Sequence, residues 1–258
     1  MKVVILAGGF GTRIRDVASD IPKPMIPIGP YPILWHIMRS YSYFGHKHFI
    51  ICLGYKGELI KQFFLNYKAY THDITISYGN TGGVIFHNAH NDYDWTITLS
   101  DTGARAMTGA RIARIKEYVG NEDFMLTYGD GVSDVNINQL LEFHRSHDKV
   151  LTVTGVRPPG RFGEMMAQDN GQVTEFNEKP QASGGRISGG FFVARPSLFD
   201  YLEDCEDLVF EEGPVRNLVA DGQLMMFAHD GFWQPMDTSR EYVLLNSMYE
   251  KGITPWIR

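Results

Sequence analysis

Near its start the chain reads Val3-Val4-Ile5-Leu6-Ala7-Gly8-Gly9-Phe10-Gly11-Thr12-Arg13, a short apolar run that leads into a glycine-rich loop. The unbroken run from Val3 to Ala7 is typical of a strand that is buried on both faces in a parallel sheet. In an open α/β sheet, ligands bind beyond the carboxyl ends of the strands. The stretch therefore predicts an α/β fold with a ligand-binding loop directly after its first strand.

Outward from this stretch, apolar runs alternate with segments of helical spacing. The alternation predicts a mostly parallel sheet with helices on both faces, and a strand-rich half that begins near residue 150. We interpret the whole chain, 1–258, as one domain with a seam at the turn cluster 157–161. Further strands are predicted at 49–53, 74–78, 95–99, 124–128, 150–156, 173–176, 189–194 and 224–228, with a polar connection at 80–94. Helices are predicted at 33–44, 59–64, 111–119, 137–147 and 239–251, and others begin near 196 and 214.

The composition indicates a globular protein with a large core and no basic surface. Of the 258 residues, 43% are hydrophobic and 21% are charged, which is enough apolar material for a sizeable core. The formal net charge of −6 argues against a general nucleic-acid coat, which needs a basic face. The two cysteines, Cys52 and Cys205, favour neither a disulfide scaffold nor a zinc module. Without a signal-peptide pattern or a run of roughly 18 apolar residues, we expect a soluble, cytoplasmic protein with no membrane partner.

The glycine-rich loop has the chemistry of a phosphate-binding turn. At Gly8, Gly9 and Gly11 the missing β-carbons allow close approach, and amide N–H groups can turn onto phosphate oxygens. Thr12 adds a hydroxyl, and Arg13 adds a forked cation that suits a phosphate. The alternative is an ordinary tight turn with a solvated arginine. The pattern lacks the lysine of a GxxxxGK[ST] phosphate loop and the third glycine of a GxGxxG fingerprint, so it is neither of those motifs.

Ten residues after Arg13, Lys23 lies between two prolines. Pro22 and Pro24 restrict the local backbone. Such restriction suits a lysine whose ammonium group must point at a fixed place. Lys23 is therefore a second candidate cation for a phosphate group.

Several motifs in combination resemble one enzyme family. The segments LAGGFGTR at 6–13 and PKPM at 22–25 are similar to the signature of the sugar-1-phosphate nucleotidylyltransferases. With the later motifs, nearly the whole chain resembles the branch of this family that transfers a cytidylyl group to glucose 1-phosphate. The later motifs are PILWHIM at 32–38, GYKG at 54–57, MTG at 107–109, YGDG at 128–131, PPGRFG at 158–163 and FWQPMDT at 232–238.

The resemblance implies a magnesium-dependent reaction in which α-D-glucose 1-phosphate attacks the α-phosphorus of CTP and pyrophosphate leaves. CDP-glucose is the implied product, for surface-polysaccharide synthesis, and the implied partners are CTP, a sugar 1-phosphate and further copies of the chain. The implied fold is a Rossmann-like mixed sheet, with the nucleotide bound by about residues 1–150 and the sugar phosphate by about 151–258. Because both reactants are anions, such an enzyme must supply alignment and positive charge.

The resemblance also assigns roles to individual residues. Arg13 and Lys23 are the implied catalytic cations. Asp130 and Asp237 are the implied magnesium ligands. The implied nucleotide-binding residues are Leu6, Ala7, Gly8, Gly9, Gly11, Thr12, Arg13, Lys23, Arg111 and Gly129. The implied sugar-phosphate-binding residues are Glu178, Lys179, Ser188 and Gly189.

Each later candidate also has a purely structural interpretation. Asp130, between two glycines at a predicted strand end, suits a metal, but Asp-Gly is also a common turn. Asp237 could instead cap the last predicted helix. The Glu-Lys-Pro segment at 178–180 could be a solvated turn, and Arg111 could lie in the first turn of an amphipathic helix.

Three further polar residues are interpreted as structural. His144 and His147 are three residues apart on a predicted helix and have no evident third ligand, so we interpret them as a solvated pair. Asp134 is interpreted as a cap or turn residue.

The chain departs from the family pattern at positions that bear on substrate choice. Ile21 replaces the first lysine of a Lys-Pro-Lys-Pro run, Arg105-Ala106 replaces serines, and Ser188 replaces an asparagine. A hydroxymethyl group reaches fewer sugar hydroxyls than an amide does. Glucose 1-phosphate is the leading acceptor, and the alternatives are another acceptor phosphate or the donors UTP, dTTP and GTP. The alternative from a different class is a non-catalytic subunit that binds a nucleotide or a sugar phosphate.

Overall fold

This computed structural model of the protein describes residues 1–11, 14, 16–17, 19–79, 82–87, 94–158, 164–168, 172–177 and 185–257. The strands are β1 (Lys2–Leu6), β2 (Pro27–Ile28), β3 (Tyr31–Pro32), β4 (His48–Leu53), β5 (Ile74–Ser77), β6 (Gly83–Phe86), β7 (Thr96–Asp101), β8 (Phe124–Tyr128), β9 (Gly131–Ser133), β10 (Leu151–Val156), β11 (Glu164–Ala167), β12 (Val173–Asn177), β13 (Ile187–Ala194), β14 (Leu224–His229) and β15 (Trp233–Pro235). The helices are α1 (Ile33–Tyr43), α2 (Gly57–Leu65), α3 (Tyr67–Thr71), α4 (Thr108–Ala113), α5 (Lys116–Val119), α6 (Ile137–Arg145), α7 (Pro214–Ala220) and α8 (Ser239–Glu250), with 3₁₀ turns at Lys23–Met25 and Pro196–Tyr201.

Seven strands form one central sheet in the order β14-β10-β13-β8-β1-β4-β7. Strand β13 is antiparallel to both of its neighbours, and every other pair in this sheet is parallel. The predicted α/β fold with a mostly parallel, mixed sheet is therefore confirmed. Because β10, β13 and β14 come from the second half of the chain, both halves contribute to the same sheet.

The register around β1 determines where a ligand can bind. Leu6, the last residue of β1, pairs with Cys52 of β4 on one side and with Tyr128 of β8 on the other. Parallel strands in register end at the same edge of a sheet. The glycine-rich loop after β1 consequently lies beside the segment that follows β8.

Alternating residues of β1 face two hydrophobic cores, one on each side of the sheet. Val3 and Ile5 belong to the core that includes α1, whereas Val4 and Leu6 belong to the core that includes α4 and α5. Full burial of one such side chain contributes about 1.5–3 kcal/mol. Because β1 is apolar on both faces, helices pack against both faces of the sheet, as predicted.

The helices differ from their predicted bounds in one place that matters for the site. The predicted helix at 111–119 consists of α4 and α5, because the Ile115 amide donates to the Ile112 carbonyl in a 3₁₀-type turn between them. Helix α4 begins earlier than predicted, at Thr108, so Arg111 lies in its middle. Within the described residues, no helix combines the length and the apolar character that a bilayer crossing requires.

The shortest strands were not predicted. The connection at 80–94 contains β6, which pairs with β5 in a hairpin, and β9 pairs with β15 outside the central sheet. Strands as short as β6 and β9 seldom show a period in the sequence, although β5, with four residues, was predicted at 74–78.

Candidate active site

Hydrogen bonds from other parts of the protein hold the first glycine of the glycine-rich loop in place. The Gly8 carbonyl accepts hydrogen bonds from the Tyr55 amide at 3.1 Å and from Arg111 Nη2 at 3.0 Å. A β-carbon on Gly8 would lie 2.2 Å from Arg111 Nη1. Close packing against this guanidinium is therefore what requires glycine at position 8.

Arg111 is buried and joins the loop to two neighbouring segments. Its Nη1 donates to the Leu53 carbonyl and the Thr102 hydroxyl, both at 2.8 Å, and to the Gly103 carbonyl at 2.9 Å. Burial lowers the pKa of the guanidinium from its ordinary value, while these oxygens compensate its charge. Arg111 thus lies beneath the loop as a support, and its direct contact with a nucleotide stays a prediction.

The far end of the loop offers backbone donors to a ligand. Gly9 has open space around its α-carbon, and Gly11 has a positive φ of 58°. Within the part of the chain that is described, the amides of Gly9, Phe10 and Gly11 have no hydrogen-bond partner. These N–H groups can therefore donate to phosphate oxygens.

Lys23 points into the same region and contacts both acidic candidates. It opens a 3₁₀ turn flanked by Pro22 and containing Pro24, which gives its backbone a fixed course. Its Nζ donates to Asp130 Oδ2 at 2.6 Å and to Asp237 Oδ1. Burial opposes the ammonium charge, but the two carboxylates outweigh burial and raise the pKa of Lys23 above its usual value. Lys23 is therefore a charged group at neutral pH.

A short antiparallel ladder brings the two acidic residues together. Gly131 of β9 pairs with Pro235 of β15, and the Met236 amide donates to the Asp130 carbonyl at 2.8 Å. Asp130 directly precedes β9 and Asp237 follows β15 closely, so the ladder places both carboxylates at Lys23.

Asp237 does not cap the helix that follows it. The N-cap of α8 is Thr238, which forms a capping box with Glu241. The Asp237 amide donates to Glu241 Oε2 at 2.6 Å. Its carboxylate is directed at Lys23 instead of the helix end.

The two carboxylates fit a hard divalent cation. Asp130 and Asp237 already accommodate one positive group between them, the Lys23 ammonium. Protein sites for Mg²⁺ commonly use one or two carboxylates and leave the other positions to phosphates and water. Among the described residues, no group of three or more His, Cys, Asp and Glu side chains could hold a metal. The residues present thus suit Mg²⁺ that a triphosphate also ligates.

Ten of the predicted site residues line one cavity of about 340 Å³, a size within the ~300–1,000 Å³ typical of small-molecule sites. Arg105 and Ala106, where the chain departs from the family pattern, line it as well. The ten predicted residues are Leu6, Ala7, Gly8, Gly9, Gly11, Lys23, Arg111, Gly129, Asp130 and Asp237.

A hydrogen-bonded group at the wall of this cavity was not predicted from the sequence. The Tyr128 hydroxyl donates to Glu211 Oε1, and the Thr108 hydroxyl donates to Glu211 Oε2 at 2.8 Å. Burial and the neighbouring Glu211 carboxylate raise the pKa of Tyr128, so its hydroxyl remains a donor. Glu211 is 83 residues from Tyr128 and lies in no motif, so no pattern in the sequence could have linked them.

Ser188 and Gly189 lie in β13, outside the set of described residues that line the cavity. The Gly189 carbonyl accepts a hydrogen bond from Trp233 Nε1 at 2.8 Å. The next residue, Gly190, has a φ of 77°, and a β-carbon there would lie 2.3 Å from the Tyr128 ring. This segment therefore reaches the cavity through Tyr128, and its contact with a sugar phosphate stays a prediction.

Four predicted site residues, Thr12, Arg13, Glu178 and Lys179, lie outside the described residues. Strand β12 ends at Asn177, directly before Glu178. The roles assigned to these four residues stay predictions.

The interpretation of His144 and His147 as a solvated pair is wrong. His144 is fully buried with Nδ1 2.8 Å from Thr152 Oγ1, and His147 Nε2 is 2.9 Å from the same oxygen. Burial lowers the pKa of His144 to about 4, so it is neutral in the folded protein. The i, i+3 spacing predicts a shared face but does not tell whether that face is buried. Asp134, interpreted as a cap or turn residue, has Oδ1 2.9 Å from His229 Nε2.

Comparison with known proteins identifies the family of the chain. The family model described as "Nucleotidyl transferase" matches residues 2–250. Glucose-1-phosphate cytidylyltransferases of Salmonella typhi and of Salmonella typhimurium strain LT2 are each 47% identical over 257 residues, which cover 99% of this chain and 98% of each relative. The fold is similar to that of a UDP-glucose pyrophosphorylase solved with UDP-glucose, with a TM-score of 0.67 at 16% identity over 97% of this chain and 98% of that chain. The chain therefore belongs to the nucleotidyl transferase family and, within it, to the group of the glucose-1-phosphate cytidylyltransferases.

Proposed function

We propose that this protein condenses CTP with α-D-glucose 1-phosphate to give CDP-glucose and pyrophosphate. The observation that carries the proposal is the convergence of the loop 8–11, Lys23, Asp130 and Asp237 on one cavity. Loop amides and an ammonium group bind phosphate oxygens, and a pair of carboxylates suits a divalent ion. The cytidylyltransferase relatives support CTP as the donor and glucose 1-phosphate as the acceptor.

The chain's own groups have to align two anions that repel each other. Two unit charges 4 Å apart repel by about 4 kcal/mol at an effective dielectric constant near 20. The loop amides and Arg13 hold the triphosphate, and Lys23 binds the charge that develops at its α-phosphate. Lys179 holds the attacking phosphate, and Glu178 accepts hydrogen bonds from sugar hydroxyls. The attacking phosphate is already ionised near neutral pH, so the reaction needs no protein nucleophile.

Asp130 and Asp237 are the proposed ligands of the metal. Nucleotidyl transferases generally use a divalent metal, and we propose Mg²⁺ here because the donors are hard carboxylate oxygens. When bound, Mg²⁺ neutralises charge on the reacting phosphate and on the leaving pyrophosphate.

A donor and acceptor panel tests the assignment. Purified protein is incubated with Mg²⁺, glucose 1-phosphate and each of CTP, UTP, dTTP and GTP, and pyrophosphate release is measured. We expect the fastest release with CTP, and a second panel of hexose 1-phosphates with CTP tests the acceptor. Brisk release with another donor or acceptor, and none with CTP and glucose 1-phosphate, would contradict the assignment.

Two substitutions separate an enzyme from a non-catalytic binding subunit. Lys23→Ala and Asp130→Asn remove groups at the reacting phosphates, so turnover should fall by about 100-fold or more while circular dichroism stays unchanged. Lys47→Ala is the matched control, because Lys47 pairs with Asp94 on the surface, outside the cavity lining. A binding subunit would show no turnover in the wild-type protein either.

We also propose that the protein self-associates through the hairpin of β5 and β6. The cross-strand pairs Ile74–Phe86 and Ile76–Val84 lie on one face, and their side chains are 37–52% exposed. These four side chains line a groove together with Leu65, which lies at the end of α2 and is 82% exposed. Monomeric proteins seldom expose a large contiguous apolar patch, so we expect a second copy of the chain to cover this one.

The mass in solution tests this contact. Ile76→Asp should shift the species measured by light scattering to the monomer, because a charge would have to enter the apolar contact. Thr75→Asp on the opposite face of the same strand is the matched control and should keep the wild-type mass. A wild-type protein that is monomeric at assay concentration would refute the proposal.

We propose that the two halves of the chain bind different substrates and that the protein is cytoplasmic. About residues 1–150 bind the nucleotide and about 151–258 bind the sugar phosphate, since the described phosphate-loop and lysine candidates come from the first half. Two free cysteines, one of them exposed, suit the reducing cytoplasm. CDP-glucose made there would serve the synthesis of surface polysaccharides.

A further inference from the structure

The Lys23 ammonium lies between the two proposed metal ligands. Its Nζ is 2.6 Å from Asp130 Oδ2 and is also hydrogen-bonded to Asp237 Oδ1. Mg²⁺ approaches its oxygen ligands to about 2.0–2.1 Å. A divalent ion bound to both of these oxygens and an ammonium group bonded to both would occupy the same space.

We propose that Lys23 closes the metal position in the nucleotide-free protein, and that a triphosphate, not the divalent ion alone, draws Lys23 away from Asp130 and Asp237. The inference rests on the proposed function, because it takes these two carboxylates to be metal ligands.

The surroundings of Lys23 explain why the ion alone cannot displace it. The side chain is only 12% exposed, and its flanking prolines limit backbone movement. An ammonium group that leaves two carboxylates needs another anion. Among the described residues that line the cavity, Asp130 and Asp237 are the acidic ones, and the other charged ones, Arg105 and Arg111, are cations.

A bound triphosphate would provide that anion next to Lys23. A β-carbon on Gly11 would lie 3.1 Å from Lys23 Cβ, so the end of the phosphate-binding loop touches the lysine. Because the loop and Lys23 also line the same cavity, phosphate oxygens bound there would offer the ammonium group new partners. Lys23 then exchanges its carboxylate partners for phosphate oxygens, and the position between the two carboxylates opens to a cation.

The exchange makes metal and triphosphate binding interdependent. Triphosphate raises the affinity for the divalent ion by removing its competitor. By linkage, the ion raises the affinity for the triphosphate by the same factor. The nucleotide-free protein should therefore bind a divalent ion weakly.

Mn²⁺ alone is the probe, with its free concentration followed by electron paramagnetic resonance on the full-length protein. Without nucleotide, Lys23→Gln should bind Mn²⁺ about tenfold or more tightly than the wild-type protein, because a charge that competes at contact distance is gone. Lys47→Gln, which removes an equal charge from the surface pair with Asp94, should bind as the wild type does. The double variant Lys23→Gln/Asp130→Asn should lose the gain.

Two results would overturn the inference. One is equal Mn²⁺ affinity of the wild type and Lys23→Gln. The other is tight, stoichiometric Mn²⁺ binding by the nucleotide-free wild type, a measurement that holds even where the variant fails to fold. CDP-glucose formation by the wild type tests the proposed function separately, so an active enzyme that binds Mn²⁺ tightly without nucleotide would overturn this inference alone.

Discussion

Replacement of Arg111 by methionine tests whether this residue supports the phosphate loop or contacts the nucleotide directly. The side chain is 4% exposed and donates to Gly8, Leu53, Thr102 and Gly103. Methionine has a similar length but no donor. We predict that Arg111→Met lowers the melting temperature and also weakens CTP binding, because the loop loses its support.

The magnitude follows from two opposing contributions. Arg111 contacts four acceptors, but Nη1 has only two N–H groups for three of them, so about three full hydrogen bonds contribute at least about 4.5 kcal/mol, at about 1.5 kcal/mol or more each. Methionine avoids the desolvation of the guanidinium, which opposes folding by several kcal/mol. The Gly8 carbonyl also keeps the Tyr55 amide, and the Leu53 carbonyl keeps the Thr102 amide. We expect a net loss of about 1–3 kcal/mol, which lowers the melting temperature by about 3–10 °C in a chain of this size.

Calorimetry and steady-state kinetics on three proteins distinguish the two roles. If Arg111 supports the loop, Arg111→Met should raise the KM for CTP by about tenfold. Arg111→Lys should then behave almost like Arg111→Met, because one ammonium group cannot reach oxygens on several segments. A wild-type melting temperature in Arg111→Met, together with near-normal CTP binding in Arg111→Lys, would refute the support role.

Gly8 and His144 each give a further prediction for stability. Gly8→Ala places a β-carbon 2.2 Å from Arg111 Nη1, so it should lower the melting temperature and CTP affinity as Arg111→Met does, whereas Gly9→Ala, which has open space, should leave the melting temperature unchanged. Burial lowers the pKa of His144 from 6.5 to about 4, so below pH 6.5 the unfolded chain takes up a proton that the folded protein does not. The free energy of unfolding should therefore fall by up to about 3 kcal/mol as the pH drops from 6.5 to 4. Chemical denaturation at several pH values should show a shallower fall in His144→Gln than in the wild type or in His48→Gln, an exposed control; an unchanged slope would contradict the assignment.

The strands of the central sheet could be predicted because the residues of each strand themselves indicate that it is buried. Residues 3–6 of β1 and 49–53 of β4 are apolar without interruption, and β8 shows the same pattern except at Thr127. The glycine-rich loop after β1 was predictable for the same reason, since its position follows from the end of a recognisable strand. In these cases, a few adjacent residues are enough to predict the strand or the loop.

The arrangement of the acidic pair could not be worked out in this way. The ladder of β9 and β15 has three residues on each strand, and it joins segments about a hundred residues apart. No local pattern connects Asp130 with Asp237, and only the resemblance to a family did so. Arg111 and His144 show a related limit, because helical spacing tells which residues share a face but not what that face meets.

The charge balance of the cavity explains how an acidic chain can bind a polyanion. The formal net charge of the whole chain is −6, yet the described cavity lining includes the three cations Lys23, Arg105 and Arg111 against two carboxylates. Because Lys23 is hydrogen-bonded to both carboxylates, its positive charge is already committed to them before substrate arrives. The charge of a triphosphate must therefore be balanced mainly by Lys23, which changes partners, and by the divalent ion, which arrives with the triphosphate. Affinity in such a site depends on this exchange of ion pairs, and a strongly basic surface is not needed.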